Sequence, residues 1–345
     1  MRPSPRRCVD HDTPAEAVNA RAAAFLALHA VNARQHALLT AALDRLRARA
    51  AEQGAPFTAL TCVQMPLLVH AAVQGEAAPA LPLAVAATLL VAGLDLLDDL
   101  MDGDLRDGWR GYRPSELLLA GTTLVAALPQ LALGELPLPP ERLVAVQRAL
   151  AQAGLRISAG QQRDLAAVGR SRVSPVAAET TAAGKSGEVL AVIAALAASL
   201  AGAPARVVTG YAAVGRALGT ALQLRSDCYD LFGAPWSRDL AAGARTLPIA
   251  LYLHPLPASA RRAFLALLAV ARADVVAQNA VRARLIEAGV PRQVGAVIAR
   301  LCARAHAMLD RLEPRPPAGA ALRTLIDRCS LLETPDGRGE KGGAP

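Results

Sequence analysis

Apolar side chains recur at every third or fourth position along nearly the whole chain, the spacing that turns one face of an α-helix towards a core. Alternating runs rich in Ile, Thr, Tyr or Phe, which would mark strands, are missing. Stretches bearing Gly and Pro interrupt the pattern at 54–56, 75–82, 108–114, 134–140, 171–175, 202–204, 233–235, 254–257 and 314–317. This punctuation predicts about ten or more helices on short connections, with no linker and no internal repeat. The expectation is an all-α chain, a single helical bundle over 15–333. Residues 1–14 and 334–345, rich in Pro, Gly and charge, read as disordered tails.

Composition supports the helices and narrows the chemistry. Of 345 residues, 53% are apolar, enough for a sizeable core, and most of these are the helix-forming Ala and Leu. The net charge of +8 raises the question of nucleic acid. The positive residues are nearly all Arg, scattered along the chain, and aromatic residues amount to only 3%. Without blocks of charge, stacking platforms or a nucleic-acid motif, nucleic acid is not expected, and an anionic small molecule suits the excess better. Five cysteines form no CxxC pair, so neither a zinc site nor a disulfide framework is indicated and a reduced cytoplasm is expected. The N-terminus lacks the apolar core of a secretory signal. The runs 81–94 and 189–203 fall short of the ~20 residues of a membrane span, so no transmembrane segment is expected.

The strongest local signal is Leu94-Asp-Leu-Leu-Asp-Asp-Leu-Met-Asp-Gly-Asp104. Asp98 and Asp102 stand four apart and share one helix face, which Asp95 approaches. Like charges so placed repel, so the cluster costs the helix a few tenths of a kcal/mol per pair. Hard oxygen donors grouped this way suit magnesium, which keeps several waters and bridges to phosphates.

Asp98-Asp-Leu-Met-Asp102, followed by Asp104-Leu-Arg-Asp-Gly108, resembles the first aspartate-rich motif of the trans-prenyl diphosphate synthases. More matches follow in that family's order. Gly160-Gln-Gln-Arg-Asp-Leu165 is similar to its GQxxDL helix, and Lys185-Ser-Gly187 to its Lys-Thr-Gly element. Residues 219–230 resemble the second aspartate-rich helix, and residues 239–248 the DLxEGKxTLP segment behind it. The resemblance implies an isoprenoid synthase fold, a helical bundle around a central cavity, and a homodimer. It also implies a site: Asp98, Asp99 and Asp102 would hold magnesium on one side, with Ser226, Asp227 and Asp230 facing them. Arg106 and Lys185 would clamp an allylic prenyl diphosphate, with Gln223 and Arg245 beside them and Gln161 and Asp164 lining or bracing the metal. Gly93 and Leu94 would wall the hydrocarbon cavity, with Gly93 leaving room for a C15 to C25 chain.

The departures concern a second diphosphate pocket. Residues 54–66, where the family carries GGKRxRP, contain no Lys or Arg. Asp107 replaces the second Arg of the family's Arg-Arg-Gly, and Leu97 replaces the His before the first motif. These losses favour a class I terpene synthase that ends the cation internally. A trans-prenyl diphosphate synthase elongating with isopentenyl diphosphate is the first alternative, and a peptide prenyltransferase is another. Ser226 and Ala244, where the family has Asp and Lys, motivate a third, a catalytically silent regulatory subunit.

Overall fold

The longest uninterrupted apolar segment becomes the centre of the molecule. In a computed structural model that describes residues 13–52, 58–103, 105 and 109–330, every residue from 83 to 93 is buried in one helix, Leu81–Asp102. Each fully buried Leu contributes about 1.5–3 kcal/mol, so this helix has no exposed face to satisfy until its last two turns. It stops at Gly103, whose left-handed backbone (φ 71°) lets its N–H reach the carbonyls of Asp99 and Leu100.

Sixteen α-helices run through the described residues in the order α1 (Thr13–His29), α2 (Ala33–Glu52), α3 (Thr58–Gln74), α4 (Leu81–Asp102), α5 (Pro114–Thr122), α6 (Leu128–Leu133), α7 (Pro140–Ala167) and α8 (Pro175–Ala182). They continue as α9 (Glu188–Leu200), α10 (Ala205–Cys228), α11 (Arg238–Ala242), α12 (Leu247–Leu253), α13 (Ala258–Ala271), α14 (Val275–Glu287), α15 (Val290–Asp310) and α16 (Ala318–Asp327). No strand occurs among the described residues. The fold is an all-α bundle, as expected. Its core layers are α4 against α3 and α5–α6, α9 against α3 and α10, and α10 against α15.

Proline opens many of the helices. Pro82, Pro114, Pro140 and Pro175 sit in first turns, where the missing N–H has no intrahelical partner to lose. Ser174 adds a cap to α8 by accepting from Ala177 N at 3.1 Å. Three further segments are π-helical turns rather than breaks: Thr123–Ala127 between α5 and α6, Ala183–Gly187 between α8 and α9, and Tyr229–Gly233 after α10.

The tails expected at 1–14 and 334–345 lie outside the described residues, except that α1 begins at Thr13. The expectation about membrane-length helices needs correcting. Ala78–Asp102, Pro114–Leu133 and Pro175–Leu200 are long and apolar enough to cross a membrane, because short helices and π-turns join end to end. Within the bundle, 72% of the most apolar window of the first and 67% of that of the third is buried.

Candidate active site

Two cavities meet at a ring of carboxylates. The larger, about 850 Å3, has apolar walls built from Leu90, Val91 and Leu94 of α4, Val125 of the first π-turn, Ile157 of α7 and Val189 of α9. The smaller, about 420 Å3, lies between the C-terminal end of α7, α8 and the 242–246 segment. Asp98, Asp102, Lys185, Gln223, Asp227 and Asp239 line both.

Lys185 stands in the middle of the second π-turn. Its Nζ lies 2.6 Å from Asp164 Oδ2 and 3.5 Å from Asp98 Oδ1. Burial works against the Lys185 charge, but Asp98 and Asp164 outweigh it and the pKa is raised above the ordinary value. Gln161 donates from Nε2 to Asp98 Oδ1 at 2.9 Å, as expected of a bracing residue. Gln223 braces the other wall. Its Nε2 donates to Asp227 Oδ1 at 2.9 Å, and its Oε1 accepts from Ser186 Oγ. Ser226 and Leu94 line the larger cavity. Five of the expected site residues, Asp98, Asp102, Lys185, Gln223 and Asp227, thus line both cavities.

Three of the expected residues have further partners that the sequence did not show, and one expectation is corrected. Asp99, only 4% exposed, is turned away from Asp98 and Asp102 into a buried ion pair: its Oδ2 accepts from Arg45 Nε at 2.9 Å and from Trp109 Nε1 at 3.1 Å. Residues adjacent on a helix point about 100° apart, so Asp99 ties α4 to α2 while still lining the larger cavity. Asp230 lines the larger cavity and also fastens the start of α11, whose cap is Ser237, by accepting from Ser237 Oγ (2.6 Å), Asp239 N (3.1 Å) and Arg238 N (3.1 Å). Arg245 lines the smaller cavity and also clasps backbone carbonyls, donating to those of Arg170 at 2.9 Å and Gly243 at 2.9 Å, and is 7% exposed. Gly93 does not open the cavity. A Cβ there would fall 2.7 Å from both Leu124 Cβ and Val125 Cγ2, so the glycine admits the first π-turn against α4, and Val125 forms the wall. Arg106 lies outside the described residues.

Asp239 is the residue the sequence reading missed. It opens α11 beside Asp227, and burial first, then Asp230 and Asp227, push its pKa well above the usual carboxylate value. Burial pushes Asp227 up to about 7, opposed by the Gln223 hydrogen bond and helped by Asp164. Asp102 is also pushed up to about 7, by lost hydration and then by Asp98. These shifts record negative charge crowded into one cleft with Lys185 as its nearest cation.

The donor set fits magnesium. Among the described residues no three carboxylate, His or Cys groups converge on one point. Magnesium, though, is held by one or two carboxylates plus substrate phosphates, not by an all-protein cage. Asp98 and Asp102 on one wall, and Asp227 and Asp239 on the other, are the residues that could hold it.

The crowding has a thermodynamic consequence. Asp102 and Asp227 keep protons in the folded chain at a pH where the unfolded chain has released them. Folding therefore takes up protons between about pH 4 and 7, and stability falls as pH rises through that window. Without divalent cations, Tm is expected to drop from pH 5 to pH 8, less steeply in Asp227→Asn, and magnesium at pH 8 should recover it. Calorimetric scans that show no Asp227-dependent slope would contradict this reading of the cleft.

Residues 51–282 match the family model described as polyprenyl synthetase. The chain belongs to the polyprenyl synthetase family. It is 32% identical over 198 residues to proteins named (2E,6E)-farnesyl diphosphate synthase in Mycobacterium bovis and Mycobacterium tuberculosis, covering 53% of this chain and 54% of theirs. The chain thus spans about half the length of the curated relatives it matches. Among solved structures it is similar to a geranylgeranyl pyrophosphate synthetase from Pyrococcus horikoshii, with a TM-score of 0.77 at 21% identity over 93% of this chain and 97% of that one. A geranylgeranyl pyrophosphate synthase from Lactobacillus brevis gives 0.74 at 20% identity, covering 92% and 96%. At such identities the structures establish the isoprenoid synthase fold, which the polyprenyl synthetase family shares.

Proposed function

We propose that this chain is a magnesium-dependent prenyltransferase that ionises an allylic prenyl diphosphate and joins the allyl group to a second diphosphate, isopentenyl diphosphate. The observation that carries the proposal is the two-walled carboxylate cleft, with Lys185 inside it, at the mouth of an apolar cavity of about 850 Å3. The names of the similar proteins support transfer over the terpene-synthase reading that the sequence first favoured.

The residues divide the work. The hydrocarbon tail lies along Leu90, Val91, Leu94 and Val125, where apolar walls exclude water from a carbocation. Bound magnesium would supply charge neutralisation at the leaving diphosphate. Lys185 contributes a fixed positive charge aimed at the same oxygens, and Gln161, Asp164 and Gln223 hold Lys185, Asp98 and Asp227 in place. The C–O bond breaks with its electron pair leaving on pyrophosphate. The double bond of the acceptor then attacks the allylic carbon, and pyrophosphate removes the proton that restores an alkene.

One observation keeps the terpene-synthase reading in view: residues 54–66 bring no cation to the cleft from the start of α3. The two readings part in a single assay. Purified protein, magnesium and C10 to C25 allylic diphosphates are incubated with and without isopentenyl diphosphate. Longer diphosphates that appear only with isopentenyl diphosphate are the expected result. A hydrocarbon or alcohol formed without it would replace transfer with internal quenching.

A further inference from the structure

The smaller cavity has a cationic wall that the reaction described above does not use. Arg163 on α7, and Arg170 and Arg172 on the connection from α7 to α8, line it together with Asp98, Asp102, Asp227 and Asp239. None of the three forms an ion pair with a described residue, although the carboxylates share their cavity. The gap between the two walls therefore suits an occupant that is cationic on one side and anionic on the other.

Local structure holds this wall in place. Gly169, at φ 70°, turns the chain so that its N–H donates to Gly243 O at 3.1 Å, and Arg245 Nε donates to Arg170 O at 2.9 Å. The α7–α8 connection is thereby fastened to the 243–245 segment. Arg163 is placed differently. Its Nη2 lies across Gly184, where a Cβ would sit only 2.5 Å away, so the missing side chain gives the guanidinium its path over the π-turn that carries Lys185. Four guanidinium groups, those of Arg163, Arg170, Arg172 and the carbonyl-bound Arg245, thus line the cavity with Lys185 and with Ser174, Thr180 and Thr181.

We infer that Arg163, Arg170 and Arg172 form a binding wall for the diphosphate group, holding its outer phosphate on the side of the cleft away from the hydrocarbon cavity. The inference rests on the proposed reaction for its ligand class and adds the residues that retain the group. Planar guanidinium groups match phosphate oxygens in pairs, and the Ser174 hydroxyl, which accepts from Ala177 N, keeps a proton to donate. Magnesium on the opposite carboxylates and arginines on this wall would leave the diphosphate neutralised from both sides. Two sources carry this group: the intact donor, and the inorganic pyrophosphate released from it.

Isothermal titration of the full chain with inorganic pyrophosphate, with and without magnesium, tests the wall without requiring turnover. A second arm uses a thio analogue of the C15 allylic diphosphate that does not ionise. Arg163→Ala and the double variant Arg170→Ala/Arg172→Ala should each weaken pyrophosphate on the order of 10-fold or more, with partial recovery in the Lys variants. Weakening of pyrophosphate alone assigns the wall to the released product; weakening of both probes assigns it to the substrate as well. Affinities unchanged in both arms overturn the inference. A chain that binds pyrophosphate through these arginines yet turns over no prenyl diphosphate would refute the proposed reaction only. Turnover with arginine-independent pyrophosphate binding would refute the wall only.

Discussion

Lys185→Ala is expected to lower kcat by about 10²–10³-fold, the range seen when a preorganised electrostatic donor is removed. The size of the effect follows from position. Lys185 is the cation nearest the carboxylate ring, with its side chain 17% exposed and held by Asp98 and Asp164 from two different helices. No reorganisation is needed when negative charge develops on the leaving diphosphate. Asp98→Ala should be at least as damaging, because it removes a carboxylate proposed to hold the metal and deprives Gln161 and Lys185 of a partner. Both proteins should keep their far-UV circular dichroism, since neither side chain belongs to the apolar core. Steady-state rates with an allylic diphosphate and acceptor check the point, and full activity in both variants would place the chemistry elsewhere.

Gly160→Ala and Gly219→Ala are expected to destabilise the protein by about 1–3 kcal/mol and to cost activity as well. The π-turn that carries Lys185 is gripped between α7 and α10 at sites where backbone meets backbone. A Cβ on Gly160 would stand 2.4 Å from the carbonyl carbon and oxygen of Gly184, and one on Gly219 would stand 2.3 Å from Ser186 O. Main-chain atoms cannot rotate out of the way as side chains can, so a methyl group must push the helices apart, and Lys185 moves with the turn. Gly154 provides the control on the same helix. A Cβ there meets nothing within 4 Å, so Gly154→Ala should gain up to about 1 kcal/mol from helix propensity alone. Thermal melts of the three variants decide it. Similar behaviour at Gly154 and Gly160 would remove the close-packing argument.

The sequence revealed helices wherever proline or an apolar stripe marked them, and Pro114, Pro140, Pro175, Pro204 and Pro257 each announce a helix that the structure contains. Boundaries without proline were silent. The start of α14 depends on Asp274 accepting from Val276 N at 2.8 Å. The site was legible to the extent that carboxylate spacing implied a shared face, which held for Asp98 and Asp102. It did not show the ion pair of Asp99 or the turn that Asp230 holds, because a motif specifies residue types but not their further partners. Arg45 lies more than fifty residues before Asp99, and Ser237 lies in a turn beyond Asp230. Only tertiary packing could reveal those partners. Gly93 misled for a related reason: a missing side chain reads as empty space until Leu124 and Val125 are seen to fill it.

All three π-turns bear on the cavities: Val125, Lys185 and Asp230, one from each, line the larger one. A π-turn contains one residue more than the α-turn it replaces, and that residue shifts the angular phase of everything downstream by about 100° while the axis runs on. A single rod can therefore show its greasy side to the bundle over one stretch and its reactive side to the cleft over the next. Gain or loss of one residue at such a place would re-aim a reactive group without dismantling the rods on either side. Within an otherwise rigid scaffold, these three points are where changes in chain length can be inherited as changes in chemistry.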